Sequence, residues 1–246
     1  SMPSRAKIRK RRVCSSARMP TVTSQILSSP LSKRLTGEKY QQAVFEYLLV
    51  CPSYAYIGYE LCRSLYGDIA LLDLIVFTIP SSVLYTYSVG YCRILKKPLN
   101  AKYLLNPTII AIVLGAVIGL TGAALPNAAA ILAEKASACT APVGMMTAGA
   151  AMARYSFREM LRDKTSYVLV AFRLLIIPAA AYFALRVLGL DEYIRPAILM
   201  LAMPVGTNTV VFPKMIDEEC RTSASALLTS HILCLATIPL LVSRML

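Results

Sequence analysis

The sequence predicts an all-α, multi-pass membrane protein, and three observations carry that prediction. Of its 246 residues, 57% are hydrophobic and 16% charged, with a mean hydropathy of +0.58, and no soluble core absorbs so much apolar surface. The apolar residues fall into seven long blocks, each near or above the ~20 residues that a helix needs to span a bilayer. One block, Ala197 to Phe212, is apolar at both ends yet carries Pro204, Gly206, Thr207 and Asn208 at its centre. Backbone unwinds at bilayer depth only where protein or a wet cavity surrounds it, because lipid offers no hydrogen bonds to the freed groups. A broken transmembrane helix is one reading of this segment, and a Pro-kinked packing helix with a small-residue contact face is the other.

The chain opens with Ser1 to Thr36, which holds nine basic residues, eight serines and no acid before Glu38. With so little to bury, it is expected to be disordered when free, and the basic arm as a whole is taken as residues 1–42. Three readings stay open for it: a cytoplasmic arm drawn to anionic lipid, an organelle address of the acid-free, Arg/Ser-rich kind, or sequence not native to the mature protein. The start at Ser1 and Met2 fits the third.

The blocks follow as Ala43 to Leu65, Ile69 to Cys92, Leu104 to Ala123, Leu125 to Ala153, Tyr167 to Leu190, Ile194 to Phe212 and Ala224 to Leu246. Leu125 to Ala153 is long enough to hold an interfacial turn around Glu134 and Lys135 before its span. The loops are short, as in Arg93 to Tyr103 and Arg154 to Thr165, so no soluble domain is inserted. Asn106 and Pro107 open the third block and Pro178 lies inside the fifth, breaks that membrane helices tolerate.

The formal net charge of +13 is a topology signal. With the N-terminus cytoplasmic, twenty basic residues fall inside and four outside, namely Arg63, Arg186, Arg195 and Arg244. Lys135 and Arg173 lie within apolar blocks. Nucleic acid is not expected as a partner, since only Arg5 to Arg12 would favour it. The seven cysteines are scattered, with no metal-ligand spacing, and read as small buried hydrophobes. His231 is the lone histidine, so no metal site is expected. No nucleotide-binding Gly-Lys-Ser/Thr loop and no hydrolase motif occurs; no enzyme activity, catalytic residue or cofactor is expected.

Several motifs in order carry a family resemblance. Leu105 to Gly115 with its Asn-Pro entry, Thr140 to Ala153 with Pro142 and a small-residue run, Arg173 to Pro178, Ala202 to Val210, and Ala236 to Leu240 together resemble the sixth to tenth helices of the auxin efflux carrier family of membrane transporters. That resemblance implies a crossed-helix, inverted-repeat fold of about ten helices, with residues 104–246 as the complete second five-helix repeat. Residues 43–92 would then be the last two helices of a first repeat that lacks three, joined by a short cytoplasmic loop at 93–103.

In the family the broken fourth and ninth helices meet near the midplane and hold substrate or a coupling ion. Here Ser53 to Glu60 occupies the place of the family's Asn-x-Gly-x-x-Gly-x-Pro. Only Gly58 matches; Ser53 stands for the Asn, Ala55 for the first Gly and Glu60 for the Pro, while Pro52 offers a break nearby. The resemblance thus implies substrate-binding roles for Pro204, Gly206, Thr207 and Asn208, and for Ser53, Tyr56 and Gly58, with plain helix packing the competing reading of the last three. Physically, an unwound turn exposes N–H groups at a half-helix N-terminus that favours an anion. The Asn208 amide and Thr207 hydroxyl can orient a carboxylate, and Gly206 permits close backbone approach.

Ionisable groups within spans are functional or paired by default. Glu60 beside Arg63, and Asp73 a turn into its helix, are read first as interfacial or paired and second as proton relays. Glu46 is placed at the headgroups, and Arg173 is expected to snorkel or to pair across the bundle. The resemblance implies a secondary transporter, a permease that moves a small organic anion by alternating access, with that anion, membrane lipid and a second copy of the chain as candidate partners. Its short central loop resembles bacterial members, which implies the inner membrane. The alternative is a non-transporting remnant or a helical subunit that needs a partner chain.

Overall fold

The computed structural model describes residues 28–97, 107–121, 125–153 and 155–245. The basic arm up to residue 27, the loop stretch 98–106 with Lys102 and Asn106, Arg154 and Leu246 lie outside the described residues, as do the side chains of Ala55, Tyr56, Asp73 and Arg244. Residues 28–35, within the arm expected to be disordered, form a short helix, α1. Leu31 and Leu35, four residues apart, give it one apolar face, and both pack against the main core.

Helix α2 (Lys39–Val50) ends where Pro52 follows. Proline removes a donor and pushes the residue before it into extended backbone, and Cys51 accordingly sits at φ −90°, ψ 105°. The first apolar block is therefore two helical pieces. A π-helical turn at Tyr54–Gly58, in which the Tyr59 N–H reaches back to the Tyr54 carbonyl, leads directly into α3 (Tyr59–Tyr85). Helix α3 is itself interrupted at Gly67, with φ +81° and ψ −177°, at the boundary that hydropathy draws between two blocks. That backbone region is open to glycine alone at a cost of about 1–3 kcal/mol for other residues, and no atom lies within 4 Å of a Cβ built there. Gly67→Ala is therefore expected to destabilise through backbone strain only, by about that amount, as a lowered unfolding temperature in detergent. Thr86–Ile94 continues from α3 in wide turns.

Helix α4 (Pro107–Thr121) and helix α5 (Asn127–Met152) follow. Helix α5 runs without interruption through Glu134 and Lys135, so the expected interfacial turn is absent; an Ala-rich stretch of high helix propensity surrounds that pair. A one-turn helix, α6 (Phe157–Met160), is capped by the Ser156 hydroxyl, which accepts from the Glu159 N–H. Helix α7 (Lys164–Val187) starts at the Asp163 cap, whose carboxylate accepts from the Thr165 N–H at 3.0 Å. It widens into a π turn at Phe172–Ile176 just before Pro178. A wide turn of this kind absorbs the donor that proline lacks, and such turns recur at functional positions. Helices α8 (Ile194–Ala202), α9 (Asn208–Lys214) and α10 (Arg221–Met245) complete the chain.

The described residues are all-α, and their β pairing is an isolated bridge between Pro52 and Val205. The main core lies where α2, α7, α8 and α10 converge, with Leu48, Leu49, Leu169, Leu174, Leu201 and Leu227 almost wholly buried. Helix α3 packs on α8 through Cys62 and Leu74 against Ile198 and Leu199. Among the described residues, two helices are long and apolar enough to cross a membrane unbroken, Lys164–Val187 and Arg221–Ser243. The broken elements are shorter: the nine residues of α8 rise about 14 Å, half of a hydrocarbon core.

Charged residues tie one end of the bundle together. Glu46 is buried within the protein: Arg93 Nη1 donates to its carboxylate, and the Ser32 hydroxyl lies 3.4 Å away. Lys96 Nζ pairs with Glu218 at 2.7 Å and sits 4.9 Å above the Tyr40 ring. Burial first, then Glu218 and Cys220, push the Tyr40 phenol up to about 12, so the ring stays neutral beneath the ammonium. Arg63 pairs with the exposed Asp68 at 2.8 Å, while Glu60 is exposed.

Candidate functional site

Both proline-broken segments come to the same place. After α8, Met203 to Thr207 run unwound, and Cys51 to Ser53 lie antiparallel against them. The Ser53 N–H donates to the Pro204 carbonyl at 2.9 Å, and the Gly206 N–H donates to the Cys51 carbonyl at 3.1 Å. Each segment thus satisfies backbone groups that the other's break releases, which answers the accounting that a low-dielectric interior demands.

Side chains from neighbouring helices complete that accounting. Ser230 Oγ of α10 accepts from the Val205 N–H at 3.1 Å, and Thr209 Oγ1 donates to the Gly206 carbonyl at 2.6 Å. Sequence reasoning missed both residues. A signal was present in the small hydroxyl residues on α10, of which Ser223, Ser225, Thr229 and Ser230 are buried; hydroxyls within an apolar spanning helix can re-satisfy backbone groups freed by a break nearby.

Glycine permits the close approach. A Cβ on Gly206 would stand 3.0 Å from the Cys51 carbonyl oxygen and 3.4 Å from that of Pro52. A Cβ on Gly58 would stand 3.2 Å from Met203 Cγ. A third glycine, Gly90, lies beneath Phe212, whose ring packs on Tyr47 at a centroid distance of 5.6 Å.

Of the residues singled out from sequence, Ser53, Pro204 and Gly206 form the crossing, and Gly58 lies against it at Met203. Thr207 is buried at 7% exposure and Asn208 is half-buried. These two line a cavity of about 420 Å³ opposite Thr140, Gly144 and Thr147 of α5. Tyr56 contributes backbone to the π turn. The half-helix after the break, α9, has only seven residues, so its dipole is small and orientation of a ligand falls to the Thr207, Asn208 and α5 side chains. Arg173 does not snorkel. It is fully buried, and its Nη1 donates to the Leu49 carbonyl at the end of α2.

A helix break braced by a second break, beside a cavity lined with hydroxyls and an amide, resembles the discontinuous-helix arrangement found in secondary transporters. The family described as membrane transport protein matches residues 91–242, more than half of the chain. The chain belongs to that family of auxin efflux carrier type, one of transporters and not of enzymes. No curated protein and no solved structure matches it.

Proposed function

We propose that the protein is a multi-pass permease of the cell inner membrane that moves a small organic anion, a carboxylate, by alternating access. The observation that carries this reading is the pairing of Cys51–Ser53 with Pro204–Gly206: two discontinuous helices share one fixed point beside a polar cavity, around which scaffold helices can rock. The roles assigned are orientation of the anion by Asn208 and Thr207, close approach at Gly206 and Gly58, and shaping of the crossing by Pro204, Ser53 and Tyr56. The expected result is saturable flux of a radiolabelled carboxylate, such as succinate or benzoate, into proteoliposomes that hold the full chain, with none for the matching amides. Equal flux of acid and amide, or flux no faster than in protein-free vesicles across a panel of acids, overturns it.

A second reading, a helical subunit completed by another chain, is favoured by α5. Glu134 and Lys135 are exposed there beside the exposed Ile131 and Leu132, and a charged pair amid an apolar face is costly against lipid. Light scattering of the purified protein in detergent decides: a dimer or larger assembly supports this reading, and a monomer that transports removes it.

A further inference from the structure

The guanidinium of Arg173 is fully buried, and of its three nitrogens one has a hydrogen-bond partner among the described residues. Nη1 donates to the Leu49 carbonyl. In an unbroken helix that carbonyl would receive the Ser53 N–H four residues on, but Ser53 turns its N–H to Pro204. Arg173 therefore replaces the donor that the break diverts. Its Nε and Nη2 are buried and bonded to nothing among the described residues.

Those two nitrogens are not an arbitrary remainder. Nε–H and Nη2–H point the same way and form the side-on edge of the guanidinium, the edge that grips both oxygens of a carboxylate in parallel hydrogen bonds. No ion pair among the described residues includes Arg173, and it lies within electrostatic reach of the Cys51 thiol. The α2 C-terminus offers about half a negative charge, which leaves a buried cation under-compensated, a state that is costly unless an anion completes it. The Ser53 hydroxyl, also buried and without a partner, belongs to the same crossing.

We propose that Arg173 is the anion-recognition residue of the crossing: its Nε–H and Nη2–H edge takes the two oxygens of a monocarboxylate group, with the Ser53 hydroxyl as an additional donor. This deepens the organic-anion reading and rests on it. The ligand class follows from the geometry of the free edge. A planar two-oxygen head fits it, whereas the isosteric amide offers one acceptor and one clashing donor.

The test uses the full chain in detergent, with acetate, succinate and benzoate each set beside its amide at constant ionic strength. The expected result is a saturable rise in unfolding temperature with at least one acid and none with its amide. Arg173→Lys keeps the charge and loses the fork, and Arg173→Gln loses both; each is expected to weaken apparent affinity for that acid about tenfold or more. If the wild type separates acid from amide but both variants bind as it does, the role of Arg173 falls while the anion reading stands. If no acid stabilises the wild type, the anion reading falls and this inference with it.

Should the variants fail to fold, the wild type carrying ¹⁵N-arginine decides. The acid is expected to shift a slowly exchanging, buried Nε–H resonance, and saturation without any such shift overturns the assignment. A purely capping arginine predicts no difference between acid and amide in that signal.

Discussion

Asn208→Ala is expected to abolish carboxylate flux into proteoliposomes while the purified protein keeps its unfolding temperature to within a degree or two. The side chain is half-buried at the cavity wall, and no hydrogen bond among the described residues holds it in place, so its removal takes little from the fold. What it removes is an amide placed one residue beyond the buried Thr207, facing Thr140 and Thr147. Sites that use a buried polar group to orient a substrate lose far more than packing when that group goes. Full flux by this variant in a folded protein would show that the cavity is not the site.

Gly206→Ala acts on the scaffold. The added methyl would meet the Cys51 carbonyl oxygen at 3.0 Å, and that oxygen cannot retreat without loss of its bond from the Gly206 N–H. A cost of about 1–3 kcal/mol is expected, in the range found for overpacked interiors, with flux falling along with stability. Gly58→Ala is a milder comparison, because its methyl meets the flexible Met203 side chain at 3.2 Å. Unfolding temperatures for the pair, measured side by side, check the ordering; equal shifts would mean that the backbone contact at Gly206 is no tighter than a side-chain contact.

The second break was legible because polar and helix-breaking residues stand out in an apolar run: Pro204, Gly206, Thr207 and Asn208 announce it without any tertiary information. Its partner was harder to read. Pro52 marks the end of α2, but Ser53, Ala55 and Glu60 depart from the pattern that a reader of Ser53 to Glu60 would look for, so the pairing shows only in space. Boundaries failed where a charged pair looked like a turn. Glu134 and Lys135 sit in a helix that their alanine neighbours favour, and hydropathy alone cannot weigh propensity against polarity. Arg173 shows a different limit. Nothing in its local sequence tells that it reaches α2, because the Leu49 carbonyl it satisfies lies 124 residues earlier in the chain.

Helix count was likewise only partly legible. Seven apolar blocks do not translate into seven unbroken rods: breaks at Cys51 to Ser53 and at Met203 to Thr207 each interrupt one block, while helix α3 runs across the boundary between two blocks with a kink at Gly67. An average over about twenty residues smooths over an interruption of three to five residues.

The bridge at Pro52 and Val205 has one more consequence. In a full antiparallel ladder, Ser53 and Pro204 would exchange two bonds, as would Cys51 and Gly206. Pro204 has no N–H to return, and Cys51 gives its own to the Tyr47 carbonyl at 2.8 Å. Each facing pair therefore makes half of its bonds, and the ladder cannot lengthen in either direction. The two segments are joined as by a pin and not a seam: two backbone bonds hold a single crossing point, and the joint offers no ladder edge as a template to a third strand.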